Sequence, residues 1–169
     1  MLTVKVRFLL APLAMACLVA CSSASSAENG NASASSAENG KACRNWPSFA
    51  TPKDALEQAD YVVTADVVRR VGNETVFGAE AHVYSVSTDG LPVLKGDDMG
   101  HTDLKVISTP QRCSGGDPYP DGDPLSEKQR VILFLTQEDS QGSWRTITPD
   151  QGVLPTSGSG GTLPEDWLA

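Results

Sequence analysis

The chain has 169 residues, with 13 basic against 21 acidic side chains and a net charge of −8. Removing the segment that holds Lys5 and Arg7 leaves 11 basic and 21 acidic residues, a net charge of −10. Binding along a nucleic-acid phosphate backbone needs a basic face, so that class is disfavoured and no nucleic-acid partner is expected.

The first twenty residues have the order of an export signal. Lys5 and Arg7 give a short basic start, and Phe8 to Ala20 is almost entirely apolar. A run of that length is short of the roughly 20 residues needed to span a hydrocarbon core about 30 Å thick. It ends in Leu18-Val19-Ala20-Cys21, which resembles the lipobox of bacterial lipoproteins. Small Ala20 lets a peptidase reach the bond, and the thiolate of Cys21 is the side chain suited to accept a diacylglyceryl group. Residues 1–20 are therefore expected to be a signal peptide, with Cys21 lipidated and the protein held on the extracytoplasmic face of a cell membrane. Each buried acyl methylene contributes roughly 0.8 kcal/mol, so two or more chains anchor stably. Ala14-Met15-Ala16-Cys17 is a weaker second candidate, and an ordinary secretory signal or an uncleaved anchor is the competing reading.

Residues 21–42 form a Ser/Ala/Asn/Gly-rich linker with a near-duplicate, Ala24 to Gly30 and Ala34 to Gly40. Such a composition cannot bury enough apolar surface to offset its ordering entropy. It reads as a flexible tether with a reach of about 25 Å r.m.s.. Residues 43–169 then suit one domain. With Cys17 removed and Cys21 lipidated, Cys43 and Cys113 are left, and outside the cytoplasm they are expected to form a disulfide. Closing that loop would stabilise the fold by on the order of 4 kcal/mol. Two free thiols are the alternative.

Within the domain, Thr51 can cap a helix, Pro52 suits its first position and Asp54 its first turn, so a helix is predicted over 52–59. The periodicity then changes to alternation. Strands are predicted at 61–68, 79–84, 103–109, 130–136 and 144–148, separated by Gly/Pro/Asp stretches, notably Ser114 to Pro124. The fold class expected is mainly β, a small five-stranded antiparallel barrel with one short N-terminal helix.

Four segments carry a family resemblance: Ala59-Asp60-Tyr61-Val62-Val63, Val93-Leu94-Lys95-Gly96-Asp97, Arg130-Val131-Ile132-Leu133-Phe134-Leu135 and Gln151-Gly152-Val153. In order and spacing, roughly residues 54–155 resemble the exported netrin-like or TIMP-like domains, which are OB-type five-stranded barrels. The resemblance implies a fold and a style of partner binding. Gly96 suits a turn after a strand that doubles back, and Gly152 a bulge or close backbone approach. The inhibitory device of the animal members, a free N-terminal cysteine presented to zinc, does not carry over. Here the cysteine is expected to hold lipid and stands about twenty residues from the domain.

Catalytic signatures of the HExxH, GxSxG, SxxK, CxxC and GxxxxGK[ST] types do not occur. His82 reads as a half-exposed strand residue. His101 with Asp97 or Asp98 would be a conceivable metal site, but no metal or cofactor is assigned. Cys113 to Asp123 is the densest polar loop, and its Asp117, Tyr119, Asp121 and Asp123 are the candidate recognition residues. Three carboxylates in this glycine-containing loop could ligate calcium, although the spacing is not that of an EF-hand. Trp46 and Phe49 are expected to pack near the disulfide, and the tail after Thr156 to fray. Binding of an envelope protein or a cell-wall polymer is the expected function. A metal-dependent enzyme or metal-binding envelope protein is the alternative.

Overall fold

In a computed structural model, residues 41–42, 45–97, 100, 102–126, 129–138, 143–156 and 161–167 are described. Every described residue falls within the compact unit Ser36–Ala169. The expected signal, with Cys17 and Cys21, lies outside the described residues. Among the described residues no helix is long and apolar enough to cross a membrane.

The described residues are mainly β, with one seven-residue helix among them, α1 (Pro52–Gln58). Its start follows the expected chemistry. Asp54 N donates to Thr51 Oγ1 at 3.3 Å, and Thr51 N donates to Asp54 Oδ2 at 2.9 Å, a reciprocal capping box. Its end is closed from a distance. Lys95 Nζ donates to the carbonyls of Leu56, Glu57 and Ala59 at 2.9, 2.9 and 2.6 Å, satisfying groups a helix terminus leaves open.

The strands are β1 (Lys41–Ala42), β2 (Tyr61–Val76), β3 (Ala79–Ser87), β4 (Val93–Lys95), β5 (Asp103–Ile107), β6 (Arg112–Ser114), β7 (Arg130–Glu138), β8 (Ser143–Thr146) and β9 (Val153–Pro155). β1 and β6 form a two-stranded sheet, so the expected linker gives its last two residues to a ladder. The other seven form one mixed sheet in the order β4-β2-β3-β5-β8-β7-β9. β2 also pairs with β7, so the pairings return on themselves through β2, β3, β5, β8 and β7.

Two features correct the expectation of five purely antiparallel strands. Short β4 and β9 extend the sheet to seven, and β5 runs parallel to β8. The parallel pair arises because β7 intervenes in the chain and leads into antiparallel β8, which re-enters beside β5 in the same direction.

β2 is long enough to serve two neighbours. Tyr61 to Asp66 pairs with β7, and Asp66 to Val76 pairs with β3. Register shifts skip Val68 and Val71, two bulges that bend the strand and turn these valines to solvent at 41% and 37% exposure. The β2–β3 connection is the two residues Phe77 and Gly78, both with positive φ (52° and 82°), as the twist of a tight hairpin requires.

Alternation sorts the apolar side chains into two main clusters. Tyr61, Val63, Tyr84, Val86, Leu104, Val106, Leu133 and Leu135 are buried together with Leu125 and Val153, so β2, β3, β5 and β7 of the circuit all contribute. Half-buried Trp144 packs on them and stacks against Tyr61 at 5.4 Å. Val62, Ile132, Phe134 and Leu154 face the opposite way, into a cluster with Phe49, Ala55 and Ala59. The unbroken apolar run of β7 follows from burial on both faces.

Residues 161–167 of the tail do not fray as expected. The Trp167 ring lies 5.7 Å from Phe134, its Nε1 donates to the Phe49 carbonyl at 2.9 Å, and Leu163 joins the same cluster. An aromatic residue with a polar edge finds there both an apolar wall and an acceptor.

Candidate ligand-binding cleft

The segments that carry the resemblance have local tasks. Asp60 accepts from Thr136 Oγ1 at 2.7 Å and from Gln137 N at 3.1 Å, and these bonds hold its carboxyl below the usual range. Lys95 closes α1. Gly96, at φ +94°, has no room for a Cβ, which would meet Tyr61 Cδ2 at 2.6 Å. Gln151 Oε1 accepts from Phe49 N and its Nε2 donates to Phe49 O, both at 2.8 Å, which fastens the segment before α1. Trp46 packs on Phe77 at 5.4 Å, with the buried Arg145 guanidinium against both rings.

The 115–129 loop between β6 and β7 is built around Asp123. Its Oδ2 lies 2.7 Å from Nδ1 of His82 and accepts from Tyr84 OH at 2.9 Å. Its Oδ1 accepts from Ser108 Oγ at 2.7 Å and Leu125 N at 3.0 Å. One carboxylate thus joins β3, the end of β5 and its own loop. Tyr119 adds a second pin. Its hydroxyl donates to Ser108 O at 2.7 Å and accepts from His82 N at 3.0 Å, with its ring 4.6 Å from that of His82. Burial raises the pKa of both phenols. Tyr119 is pushed up to about 12, and Tyr84 is raised further, with its bond to the Asp123 carboxylate as second cause.

Ser108, His82 and Asp123 are the residue types of a nucleophilic triad but are joined in another order. A relay needs the imidazole between carboxylate and hydroxyl, whereas here Asp123 stands between the other two and Ser108 is fully buried. The arrangement clamps a loop to a sheet. The aspartate turns Tyr119 N→Asp117 Oδ1 (2.9 Å) and Leu125 N→Asp123 Oδ1 shape the loop itself.

Of the four candidate recognition residues, Tyr119 and Asp123 therefore face inward, while Asp117 and Asp121 are exposed. Cys113 lies on β6, and Cys43 lies outside the described residues. His101 and Asp98 lie outside them too. Among the described residues no group of three or more His, Cys, Asp or Glu is disposed to hold a metal.

The outer side of the loop forms one wall of an open cleft of about 490 Å³. Asp121, Pro124 and Gln129 line it on one side, Asp150, Val153 and Pro155 on the other. Gln111 spans them, its Nε2 donating to Asp150 Oδ1 at 3.0 Å and its Oε1 accepting from Asp121 N at 3.5 Å. Among its described lining residues there is no Lys, Arg or His. Gln111, Gln129 and Asp150 carry no sequence signal of their own. They meet only because the loop and the β8–β9 turn are brought side by side.

No protein-family model, curated protein or solved structure matches this chain.

Proposed function

We propose that this protein is a lipid-anchored extracytoplasmic binding module whose recognition surface is the outer side of the 115–129 loop. The observation that supports this reading is the division of labour within the loop. Inward side chains are consumed in clamping it, while an acidic, proline-edged cleft stays open on its outer side. A rigidly held loop that offers unspent polar groups is suited to recognition, because little ordering entropy remains to be lost on binding.

The scaffold is an OB-type barrel of β2, β3, β5, β7 and β8. The closed circuit of pairings supports that assignment, as does the apolar cluster to which the strands contribute. Cys43 is the disulfide partner of Cys113. The ladder of Lys41–Ala42 with Arg112–Ser114 supports it by bringing the two stretches together. The membrane is reached through lipid on Cys21, and the ligand is an envelope protein or a wall polymer.

Two experiments test the reading. Cys21→Ser is expected to leave the detergent-soluble membrane fraction, and retention there would remove the lipid anchor. In-cell crosslinking of the wild-type lipoprotein is expected to capture a partner that is lost when residues 114–123 become a Gly/Ser loop. Equal capture by both forms would exclude the loop as the recognition surface.

A further inference from the structure

β9 ends the sheet, and its hydrogen bonds decide which of its main-chain groups are unspent. Phe134 N donates to Gly152 O, and Thr156 N to Arg130 O, each at 3.0 Å. The register between them is Leu133 with Val153, Ile132 with Leu154 and Val131 with Pro155. Bonded and non-bonded pairs alternate along an antiparallel ladder, so Leu154 points its main-chain groups at β7, while Val153 and Pro155 point theirs away. Both of these residues line the cleft. Among the described residues, the N–H and C=O of Val153, a residue 7% exposed, and the C=O of Pro155 meet no main-chain partner. Proline has no N–H to offer, which restricts any added strand to a short stretch.

Charge selects the ligand further. Asp121 and Asp150 are exposed at the cleft rim. The Asp121 carboxylate makes no hydrogen bond or ion pair among the described residues, and Asp150 gives one oxygen to Gln111. An unspent strand edge bordered by two carboxylates complements an extended backbone that carries cationic side chains. We infer that the cleft takes an extended basic peptide segment of a partner protein, added as a short strand on the outer edge of β9 with its Lys or Arg side chains against Asp121 and Asp150. This rests on the binding-module reading and names the ligand class of that site.

The test uses the full-length lipoprotein in non-ionic detergent and a short synthetic peptide of alternating Lys and Thr, capped at both ends. Calorimetric titration is expected to show saturable binding. Replacing the lysines by Gln, or the protein by D121N/D150N, should weaken it roughly fivefold. Methylating the peptide nitrogens along one strand edge should abolish it, because the main-chain donors are then removed without a change of charge. Equal affinity of the Gln peptide, indifference to N-methylation or an unaffected double variant would each overturn the inference, as would the absence of saturable binding. Both substitutions are isosteric and at exposed sites, so the fold is kept. Crosslinking in cells separates the two levels. A partner captured equally by wild type and D121N/D150N overturns the cleft assignment and leaves the module standing, whereas capture of none removes both.

Discussion

Nδ1 of His82 and Oδ2 of Asp123 lie 2.7 Å apart although 41 residues separate them, and the Asp123 side chain is 5% exposed. Because Tyr84 and Ser108 donate to the same carboxylate, its removal strands several buried polar groups at once. Asp123→Ala is expected to cost about 3 kcal/mol in urea unfolding. Amide exchange should rise first in residues 115–126. Asp121→Ala, at an exposed position of the same loop, is expected to stay within about 0.5 kcal/mol of wild type.

The two buried phenols make stability fall at alkaline pH. Their folded pKa values are raised above the ordinary 10.0, so the folded state holds these protons more tightly than the unfolded state does. The contribution is therefore complete below pH 10 and is lost as pH rises from 10 towards about 12, where Tyr119 titrates in the folded state. Tyrosinate absorbance should show Tyr84 and Tyr119 ionising together with unfolding. Tyr84→Phe and Tyr119→Phe would each reduce the alkaline slope. Ionisation of both phenols near pH 10 in the folded protein would contradict their burial.

Gly152 and Gly72 should differ in their tolerance of alanine. A Cβ at Gly152 would lie 2.5 Å from Thr148 O and 2.6 Å from Thr146 Cβ, while one at Gly72 meets nothing within 4 Å. Gly152→Ala must push the β8–β9 turn off β8 and is expected to cost about 2–3 kcal/mol. Gly72→Ala should be neutral within about 0.5 kcal/mol. Thermal unfolding of both variants checks the contrast.

The docked tail predicts a further stability effect. Trp167→Ala removes a ring from Phe134 and a donor from the Phe49 carbonyl, at an expected cost of about 2 kcal/mol for a half-buried aromatic. Trp167→Phe should recover the apolar part alone. If truncation after Thr156 left the unfolding midpoint unchanged, the tail would make no contribution.

Local chemistry was legible where neighbours in sequence are neighbours in space. Thr51, Pro52 and Asp54 specify the start of α1 because a cap is closed within one turn. The alternation of Tyr61, Val63 and Ala65 specifies a strand, Gly96 marks a turn and Gly152 a close backbone approach. His82 was legible as a half-exposed strand residue, but its partner was not.

The rest depended on which segments the fold brings together. A period of two says that a strand exists and cannot say which strand lies beside it, so the parallel pairing of β5 with β8 and the closure of β2 on β7 were beyond the reach of periodicity. Nor does an acidic loop announce which of its carboxylates will be consumed. Asp121 and Asp123 are two residues apart and chemically alike. Only the approach of His82, Tyr84 and Ser108 turns one inward as a clamp and leaves the other at the edge of a cleft. By itself the sequence determined the helix cap, the strand faces and the acidic character of the loop, because each is set by residues within a few positions. The tertiary structure decided which of those acids are available to a ligand, because desolvation and hydrogen bonding depend on groups that arrive from other strands.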